Sequence, residues 1–258
     1  MKDRIAIFSK YRCLLRELVG RDFKLKYRRS VLGYAWSLLN PLLMMLVLTA
    51  VFSQLFKYNI EKFAVYLIMG QTVFNFYSEA TTTAMTSVYA NADLIKKVYV
   101  PKYMFPLSKV CFAFVNMLCS LGAVIIVMAI QKVPPHITLV LLPVLFIYMF
   151  LIALGIGMLL SVVAVYFRDL THLYGVFITA QMYLTPLFYP VEVLPLWVYR
   201  IVFLNPTYHL VEFFRNIALY GEWPTITEHL ICLGFGVVFM ALGLLVFKQK
   251  QKNFILYI

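Results

Sequence analysis

From position 34 onward the chain alternates long apolar runs with short charged joints, and runs of that length can fold in few ways. A helix that crosses a bilayer needs roughly 20 mostly apolar residues, whereas runs of about 10 to 14 lie at the interface or re-enter. Six stretches meet the longer measure: 34–56, 64–89, 105–130, 137–167, 170–189 and 229–247. The fourth exceeds one crossing, which predicts tilt or a non-helical start at Pro143. The chain is 63% hydrophobic and 13% charged, against about 25% charged in an ordinary soluble domain. The expected class is therefore an all-α integral membrane protein with six transmembrane helices, residues 34–258 forming one transmembrane domain.

Lys and Arg set the expected orientation, because positively charged loops stay cytoplasmic. With both termini inside, the inner segments hold ten such residues in 1–33, four in 90–109, Arg168, and three in 248–258, which is 18 of the 23. Lys57, Lys62, Lys132, Arg200 and Arg215 fall outside. The net charge of +12 is also what a nucleic-acid binder carries. Here the basic residues cluster at span ends, where each attracts anionic headgroups by about 1 kcal/mol, and no soluble segment is left to hold a duplex. No nucleic-acid partner is expected. Nor is a removable signal peptide, since a charged arm of about thirty residues precedes a run long enough to remain as a span. Cys13, Cys111, Cys119 and Cys232 have no metal or framework spacing and are expected as free thiols.

The arm, residues 1–33, has Ile7, Tyr11, Leu14, Leu15, Leu18 and Leu25 at helical spacing, with Lys10, Arg12, Arg16, Glu17 and Arg21 between them. That is the pattern of an amphipathic interfacial helix lying among membrane lipids. Lys24, Lys26, Arg28 and Arg29 would stay with cytoplasmic phosphates while Tyr34 and Trp36 seat at the interface. The simpler alternative is that these charges only set topology.

Two joints are more elaborate than connections need to be. In 90–104, Asn91 or Asp93 can cap a short helix running to Lys97, with Pro101 and Pro106 beyond it. Such a helix under the membrane would serve a soluble partner, or else it is only an interfacial turn. In 190–222, two apolar pieces, 196–205 and 208–220, are each too short to cross and flank Pro206 and Thr207. They read as a re-entrant hairpin from the outer side, or as an interfacial cap; counting them as a seventh span would put Lys248, Lys250 and Lys252 outside.

Along the second run Thr72, Asn75, Glu79, Thr82 and Thr86 are spaced 3, 4, 3 and 4, which places them on one helical face. Glu79 is the one acid well inside a run, and charge at that depth costs about 2.5–3.5 kcal/mol on insertion scales. A polar face inside a membrane either lines a cavity or bonds neighbouring helices. Phe76 borders this face, while Phe74 and Tyr77 are expected to point elsewhere. A catalytic reading finds no support: His136, His172, His209 and His229 are scattered near run ends, and no G-x-x-x-x-G-K-[ST], H-E-x-x-H or G-x-S-x-G motif occurs.

The stretches KYRRSVLGYAWSLLNPL, NADLIKKVYVPK, VYFRDL, TPLFYP and LNPTYHLVEFFRN, in that order along nearly the whole chain, resemble the permease subunit of ABC type-2 exporters of lipid-linked polysaccharides. That family exports O-antigen, capsule and teichoic acid chains. The resemblance implies an interfacial helix, six spans, a cytoplasmic coupling helix, and re-entrant helices on the outer side. It also implies a homodimer working with two copies of a separate ATPase, which would bind ATP and Mg, so that this chain itself holds no cofactor or metal. By the same resemblance Asp93, Leu94, Lys96 and Lys97 would meet the ATPase, with Arg168 and Asp169 as a second inner contact. The stripe of Thr72, Asn75, Glu79, Thr82 and Thr86 is expected to line the glycan pathway. Two alternatives stay open: an exporter of a small lipid or drug, and a proton-coupled secondary transporter using Glu79. No inverted repeat of broken helices is visible to favour the latter.

Overall fold

The computed structural model describes residues 2–28, 30–56, 60–98 and 100–257, with side chains except at 2–10, 27, 53–56 and 255. The side chains of Ile7 and Lys10 in the expected amphipathic pattern, and residues Arg29 and Lys57, lie outside that description. Among the described residues there are helices and no strands. In chain order they are α1 (Lys2–Tyr27), α2 (Trp36–Phe56), α3 (Phe63–Thr86), α4 (Ala92–Lys97), α5 (Met104–Ile130), α6 (Leu142–Tyr166), α7 (Leu170–Leu184), α8 (Leu196–Phe203), α9 (Pro206–Arg215), α10 (Ile226–Lys250) and α11 (Phe254–Tyr257). The protein is an all-α membrane protein.

Four helical stretches among the described residues are long and apolar enough to cross a membrane: Gly33–Phe52, Met104–Ile130, Ile137–Tyr166 and Ile226–Asn253. Their outward sides carry Leu43, Leu46, Val47, Ile125, Ile147, Val237, Val238 and Leu245, all exposed. In water this would be an aggregation hazard, but in lipid it is the expected coat. Helix α3 is long enough, about 36 Å at 1.5 Å per residue, but its polar residues lower its hydropathy. It is instead the centre of the bundle, with 18 of its 24 residues buried, packed against α2, α5, α6, α7 and α9. Helix α7 has 15 residues and spans about 22 Å, short of the roughly 30 Å hydrocarbon core.

Local sequence accounts for several helix ends. The run beginning at 137 starts as a 3-10 segment, Ile137–Leu141, and becomes α-helical with Pro143 in the first turn of α6, where its missing N–H costs no hydrogen bond. Asn205 caps α9, its side chain accepting from Thr207 N at 3.1 Å, with Pro206 in the first turn. Thr225 and Glu228 form a capping box at the start of α10. Pro41 lies inside α2 and cannot bond the carbonyl of Ser37 four residues back. That carbonyl accepts from Ser120 Oγ on α5 at 3.0 Å, so a local defect becomes an interhelical tie.

Helices α6 and α10 make the tightest pair. A Cβ on Gly155 would sit 2.4 Å from the backbone carbon of Phe239, and one on Gly243 would sit 2.4 Å from Gly155 O. The two backbones approach closely only because both residues lack side chains.

Candidate functional site

The polar face of α3 opens onto a cavity of about 950 Å³ between α2, α3, α5 and the end of α7. Thr72, Asn75, Glu79 and Thr82 all line it. Thr86, the fifth member, lies beyond the cavity and donates its hydroxyl to Thr83 O at 3.2 Å. Gln71, Ser78 and Thr83 widen the α3 wall, Ser37 and Asn40 come from α2, and Asn116 and Ser120 from α5. Phe74 joins Phe76 in the wall, contrary to the expectation for Phe74: so wide a cavity takes in side chains flanking the stripe on both sides.

The threonines present a specific chemistry. Thr72 Oγ1 donates to Ile68 O at 2.7 Å, and Thr83 Oγ1 donates to Glu79 O at 2.7 Å. A hydroxyl whose proton is bound to its own helix still has lone pairs to offer. Half-buried Thr83 can therefore accept hydrogen bonds from the cavity, buried Thr72 offers it little surface, and the amides of Asn75 and Asn116 can both donate and accept.

Glu79 is not alone. Its Oε1 accepts from Lys26 Nζ on α1 at 2.5 Å, and its Oε2 accepts from Asn116 Nδ2 at 2.7 Å. Lys26, expected at the headgroups, instead neutralises the one deep acid, and its ammonium also lies 5.4 Å from the Phe112 ring centroid. The need for such a partner was visible in the cost of a lone charge at that depth; which residue supplied it was not.

Helix α1 reaches the cavity because it packs along α5. Leu18 is buried and Phe23 meets Phe112 edge-on with centroids 4.7 Å apart. Asp22, 7% exposed, pairs with Lys109 of α5 at 2.8 Å. Leu25 of the expected apolar face is 57% exposed, so the buried side of α1 is more polar than its sequence pattern predicts.

Leu187 and Phe188 line the cavity at the end nearest the start of α3, with Phe188 stacked on Phe52 at 5.6 Å. Arg215, fully buried, holds their loop from α9. It donates to Pro186 O at 3.0 Å, Leu187 O at 3.4 Å, Tyr66 O at 3.4 Å and Glu212 Oε1 at 2.9 Å, and its guanidinium lies 3.3 Å from the Tyr66 ring centroid.

The residues expected to meet a partner lie apart from the cavity. Asp93, Lys96 and Lys97 on α4 are exposed, whereas Leu94 is half-buried and packs against the core. Asn91 occupies the N-cap position of α4 without capping it. Its amide donates to Ser87 O at 2.7 Å and its oxygen accepts from Arg21 Nη2 at 3.3 Å. Arg168 and Asp169, exposed in the joint between α6 and α7, form no ion pair with each other among the described residues. Lys102 donates to Gln251 O at 2.6 Å, tying the start of α5 to the end of α10, and partial burial lowers its pKa from the ordinary lysine value.

These features define a helical membrane protein with a cavity along α3 whose lining is largely apolar but carries a band of polar side chains from α2, α3 and α5. A family model described as ABC-2 type transporter matches residues 14–219, and the chain belongs to that family. It is 27% identical over 243 residues to the O-antigen export system permease protein RfbA of Klebsiella pneumoniae, covering 93% of each chain. It is 27% identical to the RfbA of Myxococcus xanthus, covering 95% of each. With the capsule polysaccharide export inner-membrane protein CtrC of Neisseria meningitidis it shares 26% identity, over 93% of this chain and 90% of that one.

Proposed function

We propose that this chain is the transmembrane subunit of an ATP-driven exporter that moves a lipid-linked polysaccharide, of the O-antigen, capsule or teichoic acid type, across the bacterial cytoplasmic membrane. The observation that carries this reading is the cavity along α3. A moving glycan offers many hydroxyls and needs many weak, similar hydrogen-bond partners, and the band of Asn75, Ser78, Thr82, Thr83 and Asn116 supplies them between apolar surfaces. Relatives named for O-antigen and capsule export support the cargo class.

In this reading α2, α3, α5, α6, α10 and the run 170–189, whose helical part is α7, cross the membrane, with both termini cytoplasmic, as the distribution of Lys and Arg favours. Helix α1 lies at the inner interface, and α8 and α9 re-enter from outside. Two copies work with two ATPase subunits, which bind ATP and Mg and perform the hydrolysis. Asp93, Leu94, Lys96 and Lys97, with Arg168 and Asp169, receive the ATPase, and its displacement reaches α3 and α5 through α4. The pathway follows Thr72, Asn75, Glu79, Thr82 and Thr86.

The test is to purify the chain from its native host, identify the proteins that come with it, and compare surface glycans with and without the gene. A co-purifying ATPase together with loss of a surface polysaccharide is expected. An isolated chain and an intact envelope would overturn the proposal.

A further inference from the structure

Helix α1 is fastened to the bundle by contacts of unequal permanence. Toward its C-terminal end Asp22 and Lys109, 7% and 20% exposed, form a sheltered ion pair, and Phe23 packs on Phe112. One turn further on, Lys26 and Glu79, 37% and 23% exposed, meet at the wall of the cavity. An ion pair that keeps so much contact with the cavity is a weak tie that forms and breaks readily. The first set of contacts is a pivot and the second a fastening. On the other side of the pivot Arg21 reaches Asn91, the residue just before α4.

We propose that the last turn of α1 is a latch over the end of the cavity nearest α4, fastened by Lys26 to Glu79 and steadied by Asn116. With the latch closed, Lys26 fills that end of the cavity and the Glu79 charge is neutralised. With it open, the carboxylate faces the cavity and the last turn of α1 swings away about Asp22 and Phe23. This rests on the orientation proposed above, in which the α4 side is cytoplasmic, but not on the identity of the cargo.

The experiment uses the full transporter, the chain with its co-purifying ATPase, in inside-out vesicles. Cys13, Cys111, Cys119 and Cys232 are replaced by Ser and a single cysteine is placed by Thr82→Cys. Its rate of modification by a bulky, zwitterionic, membrane-impermeant maleimide reports opening toward the α4 side. Without nucleotide, Lys26→Gln and Glu79→Gln are each expected to raise the rate about fivefold, as release of an exposed ion pair would. The charge-swapped double variant Lys26→Glu with Glu79→Lys is expected to return it to near the parent value. Because the swap keeps both charges, its recovery separates a latch from general loosening. Single variants that label at the parent rate, or a swap that labels as fast as the singles, would overturn the latch. The labelling does not depend on cargo, so failure of the polysaccharide reading would appear as an unchanged cell surface on deletion while the rates stood.

Discussion

Arg215 shows how a single side chain can join α9, the first half of α3 and the loop after α7. Its guanidinium is fully buried, stacks on Tyr66 and satisfies carbonyls from α3 and from that loop. Arg215→Ala would remove the donor to Leu187 O and Glu212 and one of the two donors to Pro186 O, which Tyr66 Oη also reaches at 3.3 Å, and orphaning a buried acceptor costs about 1–3 kcal/mol. A clearly lowered melting temperature in detergent is expected. Arg215→Lys keeps the charge but not the planar fork, and should recover only part of the loss; full recovery would mean that charge alone matters. In the sequence this residue counted merely as one outer positive charge. The signal for more was an arginine set among the aromatics of LVEFFRN, since an ionisable residue in an apolar piece needs a named partner. The acids nearby were legible, but the backbone carbonyls that do most of the binding carry no sequence mark.

At the scale of elements, helices were readable where periodicity and length agree, and less so where tertiary contacts decide. The Pro143 start of α6 and the break at Pro206 follow from proline geometry alone. The cap of α4 does not: Asn91 has the right residue type and position, but its side chain is taken by Ser87 O and Arg21. Leu94, grouped with the contact residues by resemblance, packs inward, so Lys96 and Lys97 make the cleaner test of coupling. Replacing both with Ala is expected to lower transport-coupled ATP hydrolysis several-fold and leave the folded assembly intact; unchanged coupling would count against α4 as the receiver. The α6 and α10 pair makes a different demand. Gly155→Leu must displace the Phe239 backbone, and overpacking of this kind costs about 1–3 kcal/mol or more. It should appear as a poorer yield of monodisperse protein, whereas the same change at Gly234, where an added Cβ meets nothing within 4 Å, should be tolerated.

Over the whole molecule the all-α membrane class was legible from run length and charge, because bilayer thickness leaves little choice. What the sequence hid is tied to what the molecule does. The residues that give α3 a polar face also lower its hydropathy, so the run 64–89 was legible by length while the central place of α3 in the bundle was not. The stripe was found by its spacing, but its opposite walls, Asn40, Asn116 and Ser120, come from helices whose own patterns are dominated by apolar residues. Lys26 was assigned to headgroups because its helix is basic throughout, and only packing against α5 turns it toward Glu79.

The proposed aqueous path along this polar face can be tested directly. Single cysteines at Asn75, Ser78 and Thr82, which line the cavity with exposed or half-buried side chains, and at Val73, Ala80 and Ala84 on the buried sides of α3, would be compared for reaction with a water-soluble thiol reagent in the assembled transporter. Several-fold faster labelling is expected at the first three, slowed when a lipid-linked glycan is being exported. Equal protection at all six positions would contradict it, and would leave the stripe as hydrogen bonding between helices.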